Sequence, residues 1–419
     1  MKILWITNGL LPEATKQLQG QKELKGSGGW MQGLADALRS SDSIELTVVG
    51  ITPLVRKLEK IKGDYITYYA IPSHGEKKYN NDYERAYRII YQQVQPDVVH
   101  IHGTEYPHSL AALRACGTEH TCVSIQGLVS AYYYYYYYGL SIKEILIATT
   151  PSSIIRTSIL AGYRDFKHRS QYELQVLKDA IHIIGRTSWD RAHVWAVNPD
   201  AHYHYGGEVL RGPFYDGSVW QYDKCDKHSI FLSQAMYPIK GLHTVLKAMP
   251  LVLRQYPDAK IRVAGNDMTH LNSTFLQRMR LKDWGVIIRR LLKKYDLVDK
   301  VTFTGALNAE QMKSEYLRNN VFVCPSSIEN SPNSLGEAQV LGVPIIASYV
   351  GGIPDMMSGD EEHLYRFEEV EMLAEKICCV FAAKEKQPQV EHMRQKALMR
   401  HDTESVVKDI LKIYNEVSK

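Results

Sequence analysis

Cysteine is scarce and unpatterned. The six residues Cys116, Cys122, Cys225, Cys324, Cys378 and Cys379 include an adjacent pair but no C-x-x-C spacing. Neither a zinc-finger signature nor a disulfide framework is therefore expected, and a reducing compartment fits best. Long apolar runs are missing too. No window approaches 18 uninterrupted apolar residues, so no transmembrane span is expected. The opening Met1-Lys-Ile-Leu-Trp-Ile-Thr lacks a signal-peptide core, because Asn8 and Gly9 already end the apolar stretch. The expected location is the cytoplasm, and membrane contact, if any, is expected to be peripheral at the inner face. No dense Lys/Arg tract accompanies the net charge of +4, which argues against nucleic acid while tolerating a phosphate-bearing ligand. No Asp-x-Asp pair stands at a strand end, so no cofactor and no obligatory divalent metal is expected.

What is present is a chain of 419 residues, 45% apolar and 23% charged. That is enough for two domains with real cores. The informative stretch runs from Val321 to Gly342: Val321-Phe-Val-Cys-Pro-Ser-Ser-Ile-Glu329-Asn-Ser-Pro332-Asn-Ser-Leu-Gly-Glu337-Ala-Gln-Val-Leu-Gly342. Its first residues read as a buried strand and Ser334 to Leu341 as a helix. A strand-to-helix turn aims unpaired N–H groups and a positive helix end at whatever lies above it. Glu329 and Glu337 flank that row of donors. Carboxylates accept from hydroxyls and amides bind anionic oxygens, which suits a nucleotide sugar. The continuation through Gly351-Gly-Ile-Pro354 reads as a second short strand with a narrow glycine turn on the same carboxyl edge.

Before this stretch, strands are expected at 2–7, 44–49, 65–71, 97–103, 122–127 and 181–185, separated by helices such as 81–93. This alternation predicts a parallel, doubly wound sheet. Gly26-Ser-Gly28-Gly29 before the helix at Trp30–Leu38 reads as a phosphate-type glycine cradle or a plain tight turn. His100 and His102 close the fourth strand and are expected on opposite faces, with His102 a candidate to line the cleft. Glu105 and His108 lie at the same edge as acceptor candidates. Gln126 ends the fifth strand, where its amide can hydrogen-bond a sugar hydroxyl but cannot titrate. Arg186 leaves the sixth strand either to meet an acceptor phosphate or to pair with Asp190. Residues 203–210 read as irregular, and Arg211-Gly-Pro-Phe214 as a hinge.

The seven consecutive tyrosines Tyr132–Tyr138 cannot all be buried on one helix face. They leave open an interrupted helix with some rings packed inside, a sugar-stacking or partner surface, and a membrane-interface belt. The second half restarts at 228–234. Lys240-Gly241 precedes a helix at 242–256, where a lysine is placed to hold a diphosphate leaving group. A strand at 259–263, a basic helical region at 276–295, a strand at 301–305 ending in Gly305-Ala-Leu307, and helices at 370–383, 390–401 and to the end complete the chain.

The loops at 321–355 and the Tyr-Pro-Ile-Lys-Gly element resemble the donor site of retaining glycosyltransferases of family 4, with the GT-B architecture. The resemblance covers most of the C-terminal half and thins out before residue 180. It implies two Rossmann-like doubly wound parallel-sheet domains facing across a cleft. The acceptor domain would span 1–212, with a C-terminal helix at about 403–419 crossing back, and the donor domain 213–402. It implies that Glu337 holds the ribose and that Glu329, with the amides of Asn333, Ser334, Leu335 and Gly336, holds the sugar. Lys240 would neutralise the leaving diphosphate, and Gly305 and Leu307 would frame a uracil or guanine base. Gly28 and Gly29 would face the donor phosphates.

Three departures accompany the resemblance. Gln126 stands where relatives carry a histidine, no arginine occupies Gln234–Met236, with Arg211 a candidate to replace it, and Glu-Gly-Phe-Gly reads Glu329-Asn-Ser-Pro332. The implied activity is retaining, metal-independent transfer of a sugar from a UDP- or GDP-sugar to a glycan or lipid-linked acceptor in surface polysaccharide synthesis. The alternatives are a GT-B-shaped nucleotide-sugar epimerase and a non-catalytic sugar-nucleotide binding protein, with a sugar phosphorylase ranked lower.

Overall fold

The computed structural model describes residues 1–20, 29–39, 44–75, 77–155, 158–271, 281–383 and 388–419. They form two units: residues 1–132, 165–211 and 400–419, and residues 133–164 and 212–399.

The first unit holds an eight-stranded sheet in the order β3-β4-β2-β1-β5-β6-β7-β8. The strands are β1 Lys2–Thr7, β2 Glu45–Thr52, β3 Glu59–Lys62, β4 Thr67–Pro72, β5 Val98–His102, β6 Thr121–Ser124, β7 His182–Gly185 and β8 His202–Tyr205. All neighbours run parallel except β3 against β4. β1 is buried from Ile3 to Thr7 and β2 from Leu46 to Thr52, because helices cover both faces of a parallel sheet and the strands then read as unbroken apolar runs. The edge strand β3, Glu-Lys-Ile-Lys, alternates charge outward, which blunts further pairing. β8 lies in a segment expected to be irregular. Its alternation of histidine and tyrosine carries no apolar run, since an edge strand needs only one buried face.

The terminal helix Thr403–Val417 starts at Asp402, whose side chain accepts from Ser405 N at 2.8 Å. It buries Val406, Ile410, Ile413, Tyr414 and Val417. Tyr414 Oη accepts from Trp5 Nε1 at 2.9 Å and meets His100 Nδ1 at 2.7 Å, which ties the helix to the centre of the first sheet. Gly206 and Gly207 make room for it. A β-carbon on Gly206 would stand 2.4 Å from Ile184 and 3.4 Å from Ile410, and one on Gly207 2.9 Å from Val406.

The second unit is a six-stranded, fully parallel sheet in the order β11-β10-β9-β12-β13-β14. Its strands are β9 Asp226–Leu232, β10 Lys260–Val263, β11 Val301–Phe303, β12 Asn319–Cys324, β13 Ile345–Ser348 and β14 Leu364–Tyr365. Phe231, Phe322 and Tyr316 meet edge to face at 5.0 and 5.1 Å between ring centres. Such pairs add about 1 kcal/mol each beyond the area they bury.

Residues 133–164, expected with the first unit, belong to the second. Leu140, Ile145, Ala148 and Ile159 join the core of the helices at 242–255 and 283–294, and Ile159 N donates to Asp283 Oδ2 at 2.7 Å. The basic helix expected from 276 is described only from Asp283 to Lys294. Residues 276–280 lie outside the described residues. No helix among the described residues is long and apolar enough to cross a membrane.

Candidate active site

In the second unit the chain moves outward from β9 through β10 and β11, then returns to place β12 on the other side of β9 and continues through β13 and β14. β9 and β12 are therefore paired neighbours, Phe231 beside Phe322, whose outgoing loops diverge. That is the switch point at which open parallel sheets form a crevice at their carboxyl edge. Lys240 lies on the loop after β9 and Glu329 on the loop after β12.

The structure brings these two residues together. Lys240 Nζ stands 2.5 Å from Glu329 Oε1, and Ser326 Oγ donates to the same oxygen at 2.8 Å. The lysine side chain retains 18% of its exposure and the glutamate 10%. Burial opposes the ammonium charge, but the adjacent Glu329 carboxylate outweighs it and raises the lysine well above its ordinary pKa.

Two glycines explain why the loops can approach so closely. Gly241 has φ 72°, and a β-carbon there would stand 1.6 Å from the Pro325 carbonyl oxygen. Gly351 has φ 53°, and a β-carbon there would stand 1.8 Å from the Glu329 carbonyl oxygen. Only glycine combines that backbone with that contact. Ser327 N donates to Ile239 O at 2.8 Å, Gly352 N to Glu329 O at 3.0 Å and Ser348 Oγ to Ser326 O at 2.6 Å. The Glu329 loop is thus held by the turn after β9 on one side and the turn after β13 on the other.

The helix following Glu329 is Asn333–Val340, with Pro332 at its N-cap and no side-chain cap. Proline offers no side-chain acceptor, so the partial positive charge of the helix start is left for a ligand. Leu335 N and Gly336 N bond back to Pro332 O at 2.9 and 3.4 Å. Asn333 Oδ1 is buried without a hydrogen-bond partner. Glu337 is 3% exposed, so it does not stand on a solvated helix face. Gly305 and Leu307 follow β11, two strands over from β9. Gly305 pairs with Gly265 by two N–H···O bonds of 3.0 and 3.1 Å, and Leu307 packs half-buried against the core beneath.

Tyr133 to Tyr138 of the tyrosine run lie against this edge of the same unit. Ser327 Oγ donates to Tyr135 O at 2.9 Å, Lys247 Nζ donates to Gly139 O at 2.8 Å, and His243 Nε2 stands 3.0 Å from Tyr138 O. The Tyr136 and Tyr137 rings pack on the core. Tyr134, Tyr135 and Tyr138 are exposed. An interrupted helix, Val129–Tyr132 followed by a tight turn at Tyr133–Tyr135, accounts for this division.

The first unit has its own switch point, between β1 and β5. Glu105 lies on the loop after β5, and a β-carbon on Gly103 would stand 2.4 Å from Glu105 Oε2 and 3.3 Å from Asn8 Nδ2. Glu105 Oε2 and Asn8 Oδ1 are both buried without hydrogen-bond partners. Burial, reinforced by Glu173, raises the Glu105 carboxyl to about 7. Asn8 was not singled out from the sequence. Its signal is position alone, the first residue after the strand that borders the switch point.

Several first-unit expectations change. His100 and His102 share one face, their ring centres 3.8 Å apart, because residues two apart on a strand point the same way. Both are buried, and burial followed by the Arg186 charge lowers His100 to about 3. His108 is buried beside Tyr87 and stacked on Tyr106. The Arg186 guanidinium pairs with Glu208 rather than Asp190, at 2.5 Å, and donates to Ile125 O at 2.9 Å. Asp190 instead accepts from the Arg186 backbone N–H at 3.0 Å and boxes the helix start with Thr187. Gln126 is half-buried just past β6. Gly29 opens the helix Gly29–Arg39, and Gly28 lies outside the described residues. Among the described residues no metal-ligating cluster lies at either carboxyl edge.

Comparison with known proteins supplies three findings. Residues 221–397 match the family model described as glycosyl transferases group 1. Over 139 residues, 33% of this chain and 26% of the relative, the chain is 25% identical to the phosphatidylinositol N-acetylglucosaminyltransferase gpi3 subunit of Schizosaccharomyces pombe. The matched stretch thus spans about a quarter of that relative's length. In structure, the chain superposes on a sucrose-phosphate synthase from Thermosynechococcus elongatus with TM-score 0.69 and 17% identity, over 100% of this chain and 99% of that one. It also superposes on Anabaena Alr3699/HepE, solved in complex with UDP-glucose, with TM-score 0.63 and 13% identity, over 99% and 100%. These likenesses establish the α/β GT-B fold with two parallel sheets.

Proposed function

Since residues 221–397 belong to the glycosyl transferases group 1 family, we propose that this protein is a retaining glycosyltransferase that uses a nucleotide-diphosphate sugar, with UDP- and GDP-sugars the donors to test. The observation that carries the reading is the Lys240–Glu329 contact at the switch point of the second sheet, held by Gly241 and Gly351 beside an uncapped helix start. UDP-glucose bound to the Anabaena neighbour supports the same donor class.

In this reading Lys240 rests on Glu329 until a donor enters. The diphosphate then takes the ammonium, which neutralises negative charge as the glycosidic bond to the leaving group breaks. Glu329, released, accepts hydrogen bonds from sugar hydroxyls. The amides of Asn333 and Ser334 and the buried Asn333 Oδ1 supply further donors and an acceptor, since those of Leu335 and Gly336 are already bonded to Pro332 O; Glu337 holds the ribose, and Gly305 with Leu307 frames the base. Retention follows if the acceptor hydroxyl attacks from the face the diphosphate leaves, with a leaving oxygen as base. The cation is supplied by lysine, so the reaction is proposed to need no divalent metal. The acceptor, a glycan or lipid-linked sugar of surface polysaccharide synthesis, is proposed for the first unit, where Asn8, Glu105 and Gln126 offer hydroxyl partners. Peripheral contact with the inner face of a membrane is part of the same proposal.

The test is a thermal-shift screen against UDP- and GDP-sugars, followed by product analysis with EDTA present. Stabilisation by one donor with nucleotide release supports the transferase, since a ligand bound only to the native state raises the melting point. Epimerised nucleotide would turn the assignment to an epimerase, and binding without turnover to a binding protein. Glu329→Gln and Lys240→Ala should each cut turnover strongly with the fold intact, and unchanged rates in both would remove the mechanism.

A further inference from the structure

At the opposite end of the first sheet from its switch-point loops, three side chains that the proposed reaction does not use converge. His182 is the first residue of β7, and His202 and His204 are the first and third of β8, the edge strand. Residues two apart on a strand share a face, so the His202-Tyr-His204 pattern presents two imidazoles side by side, and β7 aligns His182 with His202. The rings stack, with His182 at 5.3 Å from His202 and 5.2 Å from His204. His182 Nδ1 lies 3.0 Å from His204 Nε2. Glu416, in the last turn of the terminal helix, brings Oε2 to 4.0 Å from His204 Nδ1. One ligand atom from each of His182, His204 and Glu416 lies within 4.8 Å of the others.

We infer that His182, His204 and Glu416 form a binding site for a borderline divalent transition cation, Zn2+ foremost, which staples the terminal helix to the edge of the first sheet. Two imidazoles and one carboxylate are a donor set suited to that class of ion and poorly suited to Mg2+. Ligands about 2.0–2.1 Å from a tetrahedral metal stand roughly 3.3–3.5 Å apart. With one ligand atom from each residue already within 4.8 Å of the others, the half-exposed Glu416 side chain can swing to close the remainder while water fills the fourth position. A cation also resolves the position of Glu416, since carbonyl dipoles at a helix C-terminus disfavour a carboxylate.

The site lies at the amino ends of β7 and β8, whereas the proposed transfer uses the carboxyl edge, so the test reads binding and stability rather than turnover. The full chain is stripped with EDTA and melted with ZnCl2, CoCl2 or MgCl2. Zn2+ and Co2+ should raise the melting point, Mg2+ should not, and bound Co2+ should show the intense visible absorption of a tetrahedral site. His182→Gln and His204→Gln should each weaken Zn2+ binding by at least about 10-fold, while His392→Gln, a histidine elsewhere, leaves it unchanged. Glu416→Gln changes an exposed group on a helix surface, keeps the fold, and should weaken binding and alter the Co2+ spectrum. No Zn2+-dependent shift, or a shift untouched by Glu416→Gln and by both histidine variants, would leave only an imidazole hydrogen bond and overturn the inference.

Discussion

Replacing Lys240 with methionine keeps the length of the side chain and removes its charge. The Glu329 carboxylate, 10% exposed, then keeps Ser326 Oγ as its remaining described side-chain partner. Breaking a buried pair from one side costs about 3–5 kcal/mol. Here residual exposure of both side chains lets water recover part of that, and about 2–3 kcal/mol is expected. Glu329→Gln preserves the shape and an acceptor for both partners, so about 1–2 kcal/mol is expected. The double variant removes the pair together, and the two effects should fall short of adding by about 1–2 kcal/mol. Urea unfolding of the four proteins measures this, read from the midpoint at constant m. The same four proteins are then melted with UDP. If the diphosphate takes the ammonium from Glu329, UDP stabilises the parent and Glu329→Gln but loses its effect on Lys240→Met. Additivity within about 0.5 kcal/mol, or an undiminished UDP shift in Lys240→Met, refutes the reasoning.

Gly351→Ala should destabilise the second unit by about 2–4 kcal/mol, combining left-handed backbone strain with the clash against the Glu329 carbonyl; chemical denaturation checks it, and a change under 0.5 kcal/mol would show that the turn relaxes freely. Arg186→Met strands the buried Glu208 carboxylate and should cost about 3–5 kcal/mol, most of it recovered in Arg186→Met/Glu208→Met; denaturant midpoints of both variants decide. For Glu105, the folded carboxyl titrates near 7 against 4.5 for the free side chain. The raised value means its contribution is fully present below pH 4.5 and is lost as pH rises through 7. Glu105→Gln should therefore gain about 2–3 kcal/mol relative to the parent between pH 4.5 and 8, and a pH-independent difference in denaturant stability would contradict the burial argument.

Periodicity carried the fold a long way. The apolar runs at 2–7 and 321–324 announced central parallel strands because burial on both faces leaves no polar alternation to mislead. In the structure Thr187 and Asp402 fix helix starts through side chains that bond locally. The edge strand β8 is not legible in the sequence, because its residues are half-buried or exposed and form no apolar run. His100 and His102 share one face, as the two-residue period of a strand requires. The partner of Arg186 was unpredictable, since Glu208 reaches it only after β8 has crossed back beside β7.

The sequence by itself determined the order of the central strands, the glycine turns and the acids and lysine of the donor loops, because strand periodicity, left-handed glycine backbone and helix caps are properties of a few adjacent residues. The tertiary structure alone decided that Lys240 meets Glu329, that residues 133–164 pack with the second unit, and that His182, His204 and Glu416 converge. Those outcomes depend on strand order and on which helix covers which face, and such long-range pairings are set by the burial of the whole core rather than by any local signal.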